Sequence, residues 1–169
     1  SLYLEIGPCH GIYFVDAAQS EKFEKCIGID ISETAVRQTQ AYIDYVFKDS
    51  KRNCEIICGD FFDYAPVNKP NMIAMGAVLE HVENPLAFLK KIYDTADDNA
   101  IIFISTAINA PQLDHIYLFN NIDEIVDLFR KAKLKVFDMV ASTSNFVSIE
   151  KALKKKSSII PAFILKKDK

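Results

Sequence analysis

The sequence predicts an α/β domain, a mostly parallel sheet with helices on both of its faces. Short apolar runs alternate with segments of helical periodicity, giving five strand–helix units in succession. The first run ends in a turn bracketed by Gly7 and Gly11 and passes straight into a helical pattern. Acidic or small residues then stand just past successive runs, at the carboxyl ends where open α/β sheets bind their ligands.

The first strand carries Leu2, Leu4 and Ile6 and meets an acid at Glu5. Ile12, Tyr13, Phe14 and Val15 read as the packed start of a helix over residues 11–21. Glycine in the turn lets backbone approach a ligand closely, and a helix N-terminus beyond it offers N–H groups. A dinucleotide fingerprint would need glycine at positions 7, 9 and 12, where the chain has Gly7, Cys9 and Ile12. The run Glu5, Gly7, Gly11 instead resembles motif I of class I S-adenosylmethionine-dependent methyltransferases, with Cys9 standing where the middle glycine usually sits.

Residues 26–30 form a short apolar strand ending in Asp30, about 20 residues past the turn, where nucleotide-type folds place a carboxylate for ribose hydroxyls. Ser32 is a good N-cap for a helix that carries Ala35, Val36, Thr39, Ile43 and Phe47 and runs to about Asp49. A third strand over residues 54–61 ends in Gly59-Asp60-Phe61. The resemblance assigns Asp60 to the adenine amino group and sets Phe61 against the ring.

Residues 71–76 are the fourth strand, leading into Ala77, Val78 and the run Leu79-Glu80-His81-Val82-Glu83-Asn84-Pro85. That run resembles a signature of small-molecule methyltransferases such as the ubiquinone-biosynthesis O-methyltransferases. Asn84 caps the next helix with Pro85 at its first position, and Leu86, Leu89, Ile92 and Tyr93 form its apolar stripe. Residues 100–106 read as a central strand buried on both faces. The long loop after it holds Asp114, His115 and Tyr117, and long ordered loops are disproportionately functional. Its Asn109-Ala110-Pro111 and Asp114-His115-Ile116-Tyr117-Leu118-Phe119 resemble loops of bacterial methyltransferases of this class.

A helix follows from near Asn121, then a strand over residues 134–140. Relatives usually place Gly-Phe before this strand; Lys133-Leu134 stands there, so the helix end should be built differently. Residues 144–158 are polar and lysine-rich without a clear helix, and residues 159–165 form a last strand whose Pro161 suits a sheet edge. The resemblance covers the whole chain and implies one Rossmann-like methyltransferase domain over residues 1–169. Its seven strands would run 3-2-1-4-5-7-6 with the seventh antiparallel, without the cap helices that usually precede motif I.

It also implies S-adenosyl-L-methionine as cofactor, S-adenosyl-L-homocysteine as product, and in-line transfer to a small molecule, with a hydroxyl the expected acceptor. The cofactor-binding positions so implied are Glu5, Gly7, Pro8, Cys9, Gly11, Asp30, Ile31, Asp60, Phe61, Gly76, Ala77 and Val78. A hydroxyl acceptor must lose a proton, and histidine is the usual base near neutral pH. His115, which follows an acid in the long loop, is the first candidate; His81 is the second, and His10 lies in the glycine turn.

The charge balance, 20 Lys+Arg against 23 Asp+Glu, argues against a nucleic-acid partner, and no apolar run is long enough to span a bilayer. Cys9, Cys26, Cys54 and Cys58 form no zinc-type spacing, so no metal is expected. Cys26, Cys54 and Cys58 sit in apolar runs and read as small buried hydrophobes in a reducing cytoplasm. A homodimer or a larger parent protein is consistent with the chain. Two other functions remain open at this level: an NAD(P)-dependent oxidoreductase domain, which Asp30 would suit, and a non-catalytic module of methyltransferase type.

Overall fold

The computed structural model describes residues 1–48, 52–144 and 147–168. Its strands are β1 (Leu2–Ile6), β2 (Lys25–Asp30), β3 (Cys54–Cys58), β4 (Met72–Gly76), β5 (Ile101–Ser105), β6 (Leu134–Thr143) and β7 (Ile159–Lys167). Its helices are α1 (Ile12–Gln19), α2 (Glu33–Val46), α3 (Pro85–Thr95), α4 (Ile122–Lys131) and α5 (Ile149–Lys154). The strands lie in one seven-stranded sheet in the order β3-β2-β1-β4-β5-β7-β6. The chain packs as two compact units, Ser1–Met75 with Thr95–Ala100, and Gly76–Asp94 with Ile101–Lys169.

In the first unit β1 pairs in parallel with β2 and β4, and β2 with β3. Every residue of β1 is buried, as a strand flanked on both sides requires. On α1, Phe14, Val15 and Ala18 are buried, while Ile12 and Tyr13 are 59% and 60% exposed. The first helical turn therefore does not begin packed, because Phe14 and Val15 take the one inward-facing arc that eight residues offer. Ser32 caps α2 by accepting the Ala35 N–H at 3.3 Å, and Ala35, Thr39 and Ile43 form its buried stripe. The helix stops at Val46; Asp49, its expected end, lies outside the described residues. Of the cysteines predicted to be buried, only Cys26 is; Cys54 is half-buried and Cys58 exposed, because β3 is an edge strand.

In the second unit β7 pairs antiparallel with both β5 and β6. Pro161 therefore lies in an interior strand, not at an edge. Its carbonyl accepts the Thr106 N–H at 3.3 Å, just past the end of β5. A strand residue's N and C=O face the same neighbour, so the donor that proline lacks is missing where the β5 ladder has already ended. Ile102 and Ile104 of β5 are fully buried, but on the other face Ile101 is 42% exposed and Phe103 and Ser105 are half-buried, so the strand is buried on one face only.

The Asn84 side chain accepts the Ala87 N–H at 3.0 Å at the start of α3, and Asn121 accepts that of Glu124 at 2.9 Å at the start of α4. Lys133 closes α4 in the left-handed region (φ 57°), donating to the Arg130 carbonyl at 3.0 Å. The helix end thus follows the usual glycine path with a lysine on it. The short helix α5 was not legible in its polar segment; Ser148 caps it at the Lys151 N–H and Ala152 alone is fully buried. Among the described residues no helix is long and apolar enough to cross a membrane.

Candidate active site

The turn after β1 is built from backbone constraints. Gly7, Cys9 and Gly11 all take left-handed conformations, with φ of 68°, 52° and 76°. The Gly7 N–H donates to the Ile29 carbonyl at 2.8 Å, and that of Gly11 to the Pro8 carbonyl at 2.7 Å. Cys9 follows a path that glycine takes freely, at a cost of about 1 kcal/mol or more for a residue with a Cβ. Two contacts hold it there. Its N–H donates to Asp30 Oδ2 at 3.2 Å, and its carbonyl accepts the Thr39 hydroxyl at 2.9 Å. Asp30 Oδ1 accepts the Ser32 N–H at 2.9 Å, so one carboxylate ties this turn to the start of α2. The Cys9 Sγ lies 3.2 Å from His10 Nδ1 on the exposed side of the turn.

Pro8 and Gly11 are buried, Asp30 is half-buried, and Ile31 is 76% exposed beside it. The Asp60 carboxylate is exposed and caps a short helical turn by accepting the Phe62 N–H at 2.8 Å. Phe61 is 4% exposed and belongs to the core, while Phe62 is 45% exposed. The exposed ring at this strand end is that of Phe62, one residue past the Phe61 that the resemblance set against the adenine. Glu5 is 3% exposed and its carboxylate accepts the Tyr3 hydroxyl at 2.7 Å. Burial pushes the Glu5 carboxyl up to about 7, against the opposing pull of the Tyr3 hydroxyl. A cavity of 240 Å³ lies at the amino ends of β2 and β3, between Cys26, Cys54, Arg52 and Phe23, the end of parallel strands away from ligand sites.

The second unit holds the other predicted positions. Ala77 follows Gly76 in the left-handed region (φ 52°), with its N–H on the Ser105 carbonyl at 3.0 Å. The Val78 carbonyl accepts the His81 N–H at 2.9 Å and closes a tight turn over Leu79–His81. Glu80 is 1% exposed and accepts the Thr106 hydroxyl on Oε2 at 2.8 Å. His81 Nδ1 lies 2.8 Å from the Asp114 carbonyl oxygen, and its ring meets that of His115 edge-on, centroids 4.9 Å apart.

The loop that carries His115 is closed at its base. Fully buried Ile108 bridges both Phe119 and Ile159, and the Tyr117 N–H donates to the Glu80 carbonyl at 2.9 Å. His115 and His81, separate candidates in the sequence, thus form one cluster with Glu80. Thr39 and Thr106, which sequence reasoning passed over, anchor Cys9 in the first unit and Glu80 in the second. Neither carries a signal beyond standing near a strand end or on a helix.

A family model described as a methyltransferase domain matches residues 2–138. No curated protein matches the chain in sequence. Among solved structures, the fold is similar to the O-methyltransferase of a trans-AT PKS multienzyme from Brevibacillus brevis, in complex with S-adenosyl-L-homocysteine. That pair shares 15% identity at a TM-score of 0.78, over 99% of this chain and 66% of the other. A S-adenosylmethionine-dependent methyltransferase from Thiobacillus denitrificans, also with S-adenosyl-L-homocysteine, is 13% identical at 0.71, over 99% of this chain and 85% of that one. The 4+2 cyclase SpnF is 11% identical at 0.78, over 98% of this chain and 74% of that one.

Two stability outcomes follow from this geometry. A Cβ on Gly11 would meet the Thr39 Cγ2 at 2.8 Å in a left-handed conformation, whereas one on Gly59 meets nothing within 4 Å. Gly11→Ala should cost about 1–3 kcal/mol in urea unfolding and Gly59→Ala less than about 0.5 kcal/mol. The second concerns Glu5, whose carboxyl moves from 4.5 unfolded to about 7 folded. Between those values the folded chain binds more protons than the unfolded one, so this group's contribution declines as pH rises through the window. Relative to Glu5→Gln, which keeps an acceptor for Tyr3, the native chain should lose on the order of 3 kcal/mol across that interval. A stability difference that does not change with pH would show that Glu5 is not held protonated.

Proposed function

The chain belongs to the methyltransferase-domain family, and from that premise we propose that it transfers a methyl group from S-adenosyl-L-methionine to a small molecule, at a hydroxyl. The observation that carries this reading is the turn after β1. Left-handed conformations at alternate positions, Gly7, Cys9 and Gly11, keep the backbone open to close approach, and the Asp30 carboxylate holds the middle one. That fits the cofactor. Asp30 accepts the ribose hydroxyls, since each of its oxygens takes one N–H from the chain and retains a further lone-pair site. Asp60 accepts from the adenine amino group and Ile31 covers the nucleoside; Gly7, Pro8, Cys9 and Gly11 border the methionine part. Gly76, Ala77 and Val78 are the positions assigned to the cofactor in the second unit, and Glu5 acts from beneath the turn.

When bound, the cofactor supplies an electrophilic sulfonium methyl. The protein's own work is to orient the acceptor, exclude water and take up a proton. His115 is the group for the acceptor's proton, with His81 against its edge. Cys9 keeps the glycine path, which supports binding over a non-catalytic module. The cytoplasm is the proposed compartment, since all four cysteines are free thiols. The similarity to a cyclase is a reminder that this fold carries other chemistry.

Calorimetric titration with S-adenosylmethionine, S-adenosylhomocysteine and NAD tests the reading. The first two should bind and NAD should not; NAD binding alone would make the protein an oxidoreductase. Asp30→Ala should weaken S-adenosylhomocysteine binding about 10- to 100-fold. His115→Ala should lower the methylation rate about 100-fold or more while leaving cofactor affinity unchanged. Equal affinity in Asp30→Ala would remove Asp30 from the ribose.

A further inference from the structure

Glu80, His81 and His115 each bring one side-chain donor atom within 4.8 Å of the other two. Glu80 and His81 sit on the turn after β4, and His115 comes from the loop after β5. The zinc-type spacing sought along the chain could not reveal this group, because its third member arrives through the fold.

Three observations give the cluster the character of a built site. Glu80 is 1% exposed, and among the described residues it forms no ion pair with a lysine or arginine. A carboxylate so placed needs a proton or a cation. Its Oε2 is oriented by the Thr106 hydroxyl at 2.8 Å, the kind of outer contact that fixes metal-binding acids. His81 Nδ1 lies 2.8 Å from the Asp114 carbonyl oxygen. A backbone carbonyl can only accept, so Nδ1 carries a proton, with the Asp114 carboxylate 3.7 Å from the same nitrogen, and Nε2 is the nitrogen left to face an ion, as in metal-ligating histidines.

We propose that Glu80, His81 and His115 bind a divalent transition-metal ion of the Zn²⁺ class. Two imidazoles and a carboxylate form the three-ligand set of sites that keep a further position open. With bonds of roughly 2.0–2.2 Å to the metal, the donors need only draw together by about 1 Å on binding. The loop that brings His115 is closed at Ile108 and Phe119 and pinned at Tyr117, so that motion is a local adjustment of side chains. The open position takes the acceptor oxygen and makes its O–H more acidic. The His115 lone pair then serves the metal, so the acceptor's proton passes to solvent water instead of His115 as the oxygen–methyl bond forms and the cofactor's sulfur–methyl bond breaks. This use rests on the methyl-transfer reading; binding of the ion does not.

The test is calorimetric titration of the chelator-treated full chain with Zn²⁺, and separately with Mg²⁺. Zn²⁺ should bind one to one and Mg²⁺ far more weakly. His81→Ala, His115→Ala and Glu80→Gln should each lower Zn²⁺ affinity at least about 10-fold, and Thr106→Val about 10-fold. Cys9→Ser should leave Zn²⁺ affinity unchanged, which separates this site from the Cys9–His10 pair. The visible spectrum of the Co²⁺-loaded native chain reads the ligands without any substitution, and should show nitrogen and oxygen ligation with no sulfur-to-cobalt charge transfer. Absence of Zn²⁺ binding, unaltered affinity in the histidine variants, or a sulfur band would overturn the proposal. Zn²⁺ binding without S-adenosylmethionine binding would leave this site standing and remove the methyl-transfer reading.

Discussion

The turn after β1 depends on one carboxylate. Asp30 accepts the Cys9 N–H on one oxygen and the Ser32 N–H on the other, joining the turn after β1 to the start of α2. Bonds to an ionised acceptor are about twice as strong as neutral ones. That strength offsets the left-handed strain at Cys9 and spares the turn its middle glycine. Further hydrogen bonds of the first unit gather beside it. Gly59 donates to the Asp30 carbonyl at 2.9 Å, Gly7 to that of Ile29, and Thr39 to that of Cys9. Three chain segments distant in sequence thus share one residue as their meeting point.

The second unit uses the same economy with different groups. Glu80 joins three parts of its surroundings: its side chain accepts from Thr106, its backbone carbonyl accepts from Tyr117, and its neighbour His81 contacts Asp114. The turn after β4 is thus tied to Thr106 through the Glu80 side chain and to the loop after β5 through the Glu80 carbonyl and His81. The fold alone does not choose a reaction, and a cyclase shares it. What narrows the chemistry is this grouping of a carboxylate with two imidazoles.

Much of this was legible in the sequence wherever the cause is local. Ser32, Asn84 and Asn121 cap their helices as their residue types require, and Gly7 and Gly11 turn where only permissive backbone can. Features decided by neighbours in space were not legible. Pro161 reads as an edge residue until the end of β5 is seen to stop short of it. Phe61 and Phe62 differ only in which of them the core admits. Cys58 is exposed because β3 has a partner on one side alone, which no run of apolar letters reveals. The meeting of His81 with His115 depends on a loop whose closure is made by Ile108, Phe119 and Ile159.

That closure has an evolutionary consequence. Ile108 and Phe119 are fully buried, while Leu113, Ile116 and Leu118 between them stand 110%, 62% and 44% exposed. The hinge of the loop is locked into the core and its crest carries almost no packing energy. Selection can therefore rewrite those crest positions, or lengthen the segment, without melting the sheet below. A lineage carrying this scaffold could change which molecules it accepts while its folding stability stays where it was.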